Sequence, residues 1–173
     1  MKNRVSLLVL AVTCGVVLVP TMGALHPGHA ALIDLARKHA GTEGSVLVSI
    51  FVNPIQFDKP ADLENYPRTE DADLKTCKTH GADGVFIPEL SEMYSKDRSI
   101  TVTENQLSQH LCGATRPGHF DGVCTVVLKL FNLTHCDAAV FGEKDFQQLA
   151  VIQCMVRDLD LHVQIISHPT LRE

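Results

Sequence analysis

The chain has 173 residues, enough to bury one substantial core and too few for two comfortable ones. Hydrophobic residues make up 45% of it, charged residues 20%, and Trp is absent, so the core must be built from Val, Leu, Ile and Ala. Fifteen basic against twenty acidic side chains give a net charge of -5 with no basic block, which argues against a nucleic-acid backbone as partner.

At the N-terminus, Met1-Lys2-Asn3-Arg4 and the apolar residues 5–12 have the shape of a short signal peptide with Cys14 behind it. The longer apolar stretch, 5–19, is interrupted by Ser6, Thr13 and Gly15 and is too short to cross a bilayer. The competing reading, a strand-forming run ending at Pro20, is the one carried forward, with a cytoplasmic location and no membrane partner. Residues 16–19 then form a buried parallel strand, broken by Pro20-Thr21-Met22-Gly23. Residues 28–40 have helical periodicity through Ala31, Leu32, Leu35 and Ala36, and 41–44 close that helix. A second buried strand follows at 45–52, stopped by Asn53-Pro54.

Residues 53–69 carry Pro54, Pro60 and Pro67 and read as loop. Thr69-Glu70-Asp71 starts a helix reaching about His80, its acidic residues at the positive end of the dipole. Val85-Phe86-Ile87 is a short third strand, and 99–103 is predicted as an extra strand outside the regular alternation. A short helix at 106–112 and a turn at Arg116-Pro117-Gly118-His119 precede a long helix from Phe120, supported by Val123, Val126, Val127, Leu130, Phe131 and Leu133. A strand at 138–141, a helix at 145–158 and a last strand at 161–166 complete the alternation.

Five short apolar strands joined by helices predict a parallel sheet with right-handed crossovers, a single doubly wound α/β domain with a Rossmann-like fold. Such sheets bind ligands beyond the carboxyl ends of their strands, so the segments after each strand carry the functional weight. The six cysteines, at 14, 77, 112, 124, 136 and 154, include no C-x-x-C pair and fit neither a zinc ribbon nor a disulfide framework. They read as buried thiols in a reducing compartment.

After the first strand comes Pro20-Thr21-Met22-Gly23-Ala24-Leu25-His26-Pro27-Gly28-His29. Gly23 and Gly28 admit close backbone approach, and the following helix offers N–H groups and a positive dipole end to phosphate. His26 and His29, three apart, share a helical face and can donate to phosphate oxygens as charge builds on phosphorus. A metal site would need further ligands that the spacing does not supply, and a structural role is the other alternative. Asn53 and Gln56 follow the second strand, where neutral amides can orient hydroxyl and carboxylate groups or cap the loop. Gly142-Glu143-Lys144-Asp145 follows the fourth strand and opens a helix; Lys144 would set a positive charge near polyphosphate, and Asp145 would cap the helix or bind a hydroxyl. Arg116 and His119 face substrate or join two helices, and the structural role is preferred.

The ten-residue string resembles the ATP-binding signature of the pantothenate synthetase family, within a nucleotidyltransferase superfamily whose hallmark is a His-x-Gly-His motif. The resemblance runs from about Val16 to the end. It continues through Phe51-Val52-Asn53-Pro54-Ile55-Gln56-Phe57, Tyr66-Pro67-Arg68-Thr69, Arg116-Pro117-Gly118-His119-Phe120-Asp121-Gly122-Val123 and Phe141-Gly142-Glu143-Lys144-Asp145-Phe146-Gln147-Gln148-Leu149. It implies ATP contacts at Met22, Gly23, Ala24, Leu25, His26, Pro27, Gly28 and His29, at Gly142, Glu143, Lys144 and Asp145, and through the backbone of Leu171. It further implies pantoate and β-alanine contacts at Gln56, Gln148 and Asn53, with His29 leading the catalysis and His26 and Lys144 assisting. The implied reaction makes a pantoyl adenylate from pantoate and ATP, magnesium entering with the nucleotide, and β-alanine then displaces AMP. Family members are homodimers and carry a Ser-Ser-Arg-Asn segment and a smaller closing domain beyond the region resembling this one. The domain by itself is therefore expected to bind ATP or pantoate weakly and to turn over poorly.

Overall fold

The computed structural model describes residues 15–171. The signal-peptide reading of residues 1–12 and Cys14 lie outside the described residues. In chain order the elements are β1 Val16–Thr21, α1 Pro27–Ala40, β2 Ser45–Ile50, α2 Pro60–Glu64, α3 Glu70–Thr79, β3 Gly84–Phe86, α4 Leu90–Met93, α5 Leu111–Thr115, α6 His119–Thr134, β4 Ala138–Gly142, α7 Phe146–Asp158 and β5 Gln164–His168. Short 3-10 turns lie at Pro54–Gln56, Leu107–Gln109 and Glu143–Asp145.

The five strands form one parallel sheet in the order β3-β2-β1-β4-β5. Because β1 pairs with both β2 and β4, the order reverses between β1 and β4. That reversal opens a crevice at their carboxyl ends, where ligands bind in such folds. The alternation of side chains along each strand decides which helices cover which face. Val17 and Val19 of β1 and Ala138 and Val140 of β4 face a cluster containing Ile33 and Ala36 of α1 and Cys77 of α3. Leu18, Ala139 and Phe141 face the opposite cluster, made by Val123, Val127, Leu130 and Phe131 of α6 and Ile152 of α7. Burial of a side chain such as Ile33, which has no exposure, stabilises the fold by about 1.5–3 kcal/mol.

Residues 99–103 do not pair into the sheet: the Val102 N–H is taken by the Thr125 hydroxyl at 3.0 Å and Arg98 ties down the Ile100 carbonyl. Side-chain partners replace a neighbouring strand there. The last strand begins later than its apolar run, at Gln164, whose N–H starts the ladder on Asp137 O at 2.8 Å. Leu161 and Val163 instead pack against the α6–α7 cluster. Two short helices, α2 and α4, went unpredicted; α4 is closed by a capping box between Glu89 and Glu92 and buries Met93. Among the described residues, no helix is long and apolar enough to cross a membrane. Among the described residues five cysteines are free thiols; Cys112 is exposed and Cys154 half-buried, against the expectation of buried thiols.

Candidate active site

The crevice between β1 and β4 is a cleft of about 610 Å³. Its floor and rim come from the segments after β1, β2, β4 and β5, with one wall from α6. The chain leaves β1 through Gly23 at φ 84° and Ala24 at φ 50°. Left-handed backbone costs a non-glycine residue about 1–2 kcal/mol. Asp73 of α3 meets that cost, accepting from Ala24 N at 2.9 Å through Oδ2 and from Leu25 N at 2.7 Å through Oδ1. Hydrogen bonds to a charged acceptor are worth about 1.5–3 kcal/mol each, so the pair outweighs the strain. Thr69 adds its hydroxyl to Asp73 Oδ1 at 3.1 Å, and Thr21 holds Gly23 N at 3.2 Å while donating to Ser49 O.

This turn delivers His26 as the N-cap of α1. His26 Nδ1 accepts from Gly28 N at 3.1 Å and His29 Nδ1 accepts from His26 N at 3.3 Å. Since a backbone N–H can only donate, both Nδ1 atoms are unprotonated and both protons sit on Nε2. The rings lie 4.1 Å apart between centroids and line the cleft together. The His29 pKa is lowered to about 4, first by burial, then by the neighbouring His26 ring and the Lys144 charge. His29 is thus a neutral N–H donor at pH 7.

The backbone donors at this helix start are differently disposed from expectation. Pro27 has no N–H, Gly28 N is held by His26, and His29 N and Ala30 N both bond His26 O. The hydrogen-bond donors offered to a ligand are therefore the imidazoles, while the helix contributes its dipole.

After β2, Asn53 is 1% exposed and commits both amide hydrogens, to Gln56 Oε1 at 2.9 Å and Gly122 O at 3.1 Å; its Oδ1 accepts from the Tyr94 hydroxyl at 2.9 Å. Gln56 keeps its Nε2 amide in the cleft against only the Met22 thioether, at 3.3 Å. The Gln56 carbonyl is held from the start of α6 and the turn before it: His119 Nδ1 donates to it at 2.8 Å and Arg116 Nη2 at 3.3 Å. Arg116 also pairs with Asp58 at 3.2 Å. Arg116 and His119 thus brace the turn that carries Gln56, as the structural reading preferred. Gly122 permits the approach, since a Cβ there would lie 2.6 Å from Gln56 Cα and Ile55 O.

After β4, Gly142, Lys144 and Asp145 line the cleft, as does Gln148 from α7. Met22, Gly23, Ala24, Pro27, Gly28 and Leu171 line it too. Two expected nucleotide contacts do not. Leu25 commits its N–H to Asp73 and packs its side chain against the α1 cluster, and Glu143 accepts from Ser167 of β5 at 2.9 Å. Residue-type reasoning passed over Asp73, Tyr94 and His168, the last of which lines the cleft. Tyr66, quoted above only within the resemblance, lines it as well. For Asp73 a signal existed: it and Cys77 are the buried residues of α3, four apart, so a carboxylate stands on the inward face of a helix. Val123, Val126, Val127, Leu130 and Phe51 give the cleft an apolar wall. Among the described residues, no group of three or more His, Cys, Asp or Glu could hold a metal ion.

Known proteins resemble this chain in sequence and fold. A pantothenate synthetase of Akkermansia muciniphila is 62% identical over 150 residues, covering 87% of this chain and 53% of its own. The pantothenate synthetase structure from Thermus thermophilus superposes with a TM-score of 0.86 at 46% identity, over 92% of this chain and 57% of that one. A pantoate-beta-alanine ligase from Francisella tularensis, solved with beta-gamma ATP and beta-alanine, gives a TM-score of 0.88 at 37% identity, over 95% of this chain and 62% of that one. The chain spans about half the length of the curated relatives it matches. The family model described as Pantoate-beta-alanine ligase matches residues 4–173, and the chain belongs to that family.

Proposed function

We propose that this chain forms the ATP- and acid-binding domain of an enzyme that condenses pantoate with β-alanine, through a pantoyl adenylate. The observation that carries this reading is the convergence of two imidazole N–H donors, the Lys144 cation, a Gln56 amide bonded only to the Met22 thioether and an apolar wall in one cleft at the switch point. Phosphates suit the first three groups. The gem-dimethyl carbon of pantoate suits the wall formed by Val123, Val126, Val127 and Leu130, and its oxygens suit Gln56 and Gln148. The beta-gamma ATP and beta-alanine held by the Francisella relative support the nucleotide half of this assignment and β-alanine as the second substrate.

In the first step a pantoate carboxylate oxygen attacks the α-phosphorus of ATP, and pyrophosphate leaves. Charge grows on the phosphate oxygens as the phosphorus becomes five-coordinate. The Nε2–H groups of His26 and His29 answer it with donors already aimed, and Lys144 with a full charge. In the second step the β-alanine amine attacks the acyl carbon and AMP leaves. No residue forms a covalent bond, so holding the reactants in line supplies much of the rate. Magnesium enters as the counter-ion of ATP, an assignment that suits a cleft with the lone carboxylate of Asp145 beside Lys144. A cytoplasmic homodimer completes the reading; free thiols at Cys77, Cys112, Cys124, Cys136 and Cys154 fit a reducing compartment, and the dimer rests on family resemblance.

Calorimetric titration with a panel of ligands tests the assignment. ATP and pantoate should each bind, and an analogue of pantoate lacking the two methyl groups should bind roughly tenfold or more weakly, at about 0.8 kcal/mol per buried carbon. Equal affinity for both acids would remove pantoate from the reading.

A further inference from the structure

Gln56 projects into the cleft as a donor, and the reason lies outside the cleft. An amide side chain can be turned end for end at little steric cost, so something must fix which end faces the ligand. The chain of reasons starts at the Gly122 carbonyl, which can only accept. The Asn53 atom at 3.1 Å from it must therefore be Nδ2. The second hydrogen of that Nδ2 goes to Gln56, so the Gln56 atom at 2.9 Å must be Oε1, and Nε2 is turned toward Met22 and the cleft. The remaining end of Asn53, Oδ1, is buried with the Tyr94 hydroxyl at 2.9 Å as its hydrogen-bond donor.

Tyr94 follows α4 and is not among the residues lining the cleft. Its ring is held on several sides: Phe51 lies at 6.1 Å between centroids, the Arg98 guanidinium at 5.4 Å from the ring centre and the Lys129 ammonium at 6.0 Å. Burial pushes its pKa up to about 12, so the hydroxyl keeps its proton and remains a donor throughout the working pH range. The Gln56 backbone is pinned independently by His119 and Arg116, leaving the amide orientation as the remaining freedom.

We infer that Tyr94 is a positioning residue for the acid substrate: through Asn53 it holds the Gln56 amide with its N–H toward the cleft, selecting a ligand that presents an oxygen acceptor there. The inference rests on the reading of the cleft as a pantoate site. With Tyr94→Phe, Asn53 Oδ1 is buried without a donor and the Gly122 carbonyl alone is left to orient Asn53, so the Asn53–Gln56 pair loosens.

The test is a double-mutant cycle with pantoate and ATP as the probes, read by calorimetry and by side-chain amide NMR on the 173-residue chain. Tyr94→Phe should weaken pantoate roughly three- to tenfold, the loss of about one buried hydrogen bond, and leave ATP affinity within about twofold. In a Gln56→Ala background the same change should have no further effect on pantoate, since the relay then has nothing to aim. The Gln56 side-chain NH₂ resonances should shift in Tyr94→Phe even without ligand. An unmoved Gln56 signal, an equal loss of ATP affinity, or a Tyr94 effect that persists without Gln56 would each overturn the relay. Pantoate failing to perturb the wild-type Gln56 amide, with that amide still shifted by Tyr94→Phe, would uphold the relay and overturn the pantoate reading instead.

Discussion

His26 and His29 share a motif yet differ in setting. His26 is exposed and caps α1, whereas His29 is half-buried beside it and within reach of the Lys144 charge. Burial first, and then the neighbouring His26 ring and the Lys144 charge, favour the neutral ring, which lowers the His29 pKa from 6.5 to about 4. The unfolded chain therefore binds more protons at this residue than the fold does between those values. The contribution of neutral His29 to stability is complete above about pH 6.5, falls as the pH drops, and levels off below about pH 4. Polyphosphate reverses the local field, so ATP should raise this pKa and be accompanied by proton uptake near pH 5. An NMR titration of the ring checks both statements; a free-protein pKa near 6.5, or no upward shift with ATP, would contradict the geometry.

At the scale of elements, the site depends on contacts between segments far apart in sequence. Asp73 of α3 holds the turn between β1 and α1, and Gly122 of α6 lets the Gln56 turn pack closely. Asp73→Asn is the informative change, because an amide keeps the shape but can accept through one oxygen only, setting an NH₂ against the other backbone N–H. It should cost about 2–4 kcal/mol in urea unfolding, approaching the cost of Asp73→Ala, since buried donors left unmade cost about 1–3 kcal/mol each. A neutral Asp73→Asn would remove Asp73 from its assigned role. These cross-chain dependencies explain what could be read in advance. β1, β2, β4 and the helices α1, α3, α6 and α7 were legible because periodicity and punctuation are local. The strand expected at 99–103 failed because β character says nothing about whether a partner edge exists, and Thr125 took its place. The start of β5 slipped because Leu161 and Val163 are apolar for packing rather than for pairing.

For the whole molecule, the order β3-β2-β1-β4-β5 places the β1 and β4 loops side by side, so motifs more than a hundred residues apart form one cleft. The residues that line the cleft were legible as types in the right segments, and the family resemblance ordered them. Their division of labour was not, because it follows from hydrogen-bond polarity: Asn53 spends its amide internally while Gln56 keeps its own, and Glu143 turns to Ser167 while Lys144 faces the cleft. In the proposed reaction this cleft joins ATP to the carboxylate of pantoate. Exchange of labelled pyrophosphate into ATP measures that step alone. Slow exchange is expected from this chain, requiring pantoate and falling by about 10²–10³ in His29→Ala, the loss of one donor to the developing charge. Exchange that proceeds without pantoate, or that survives His29→Ala undiminished, would contradict it.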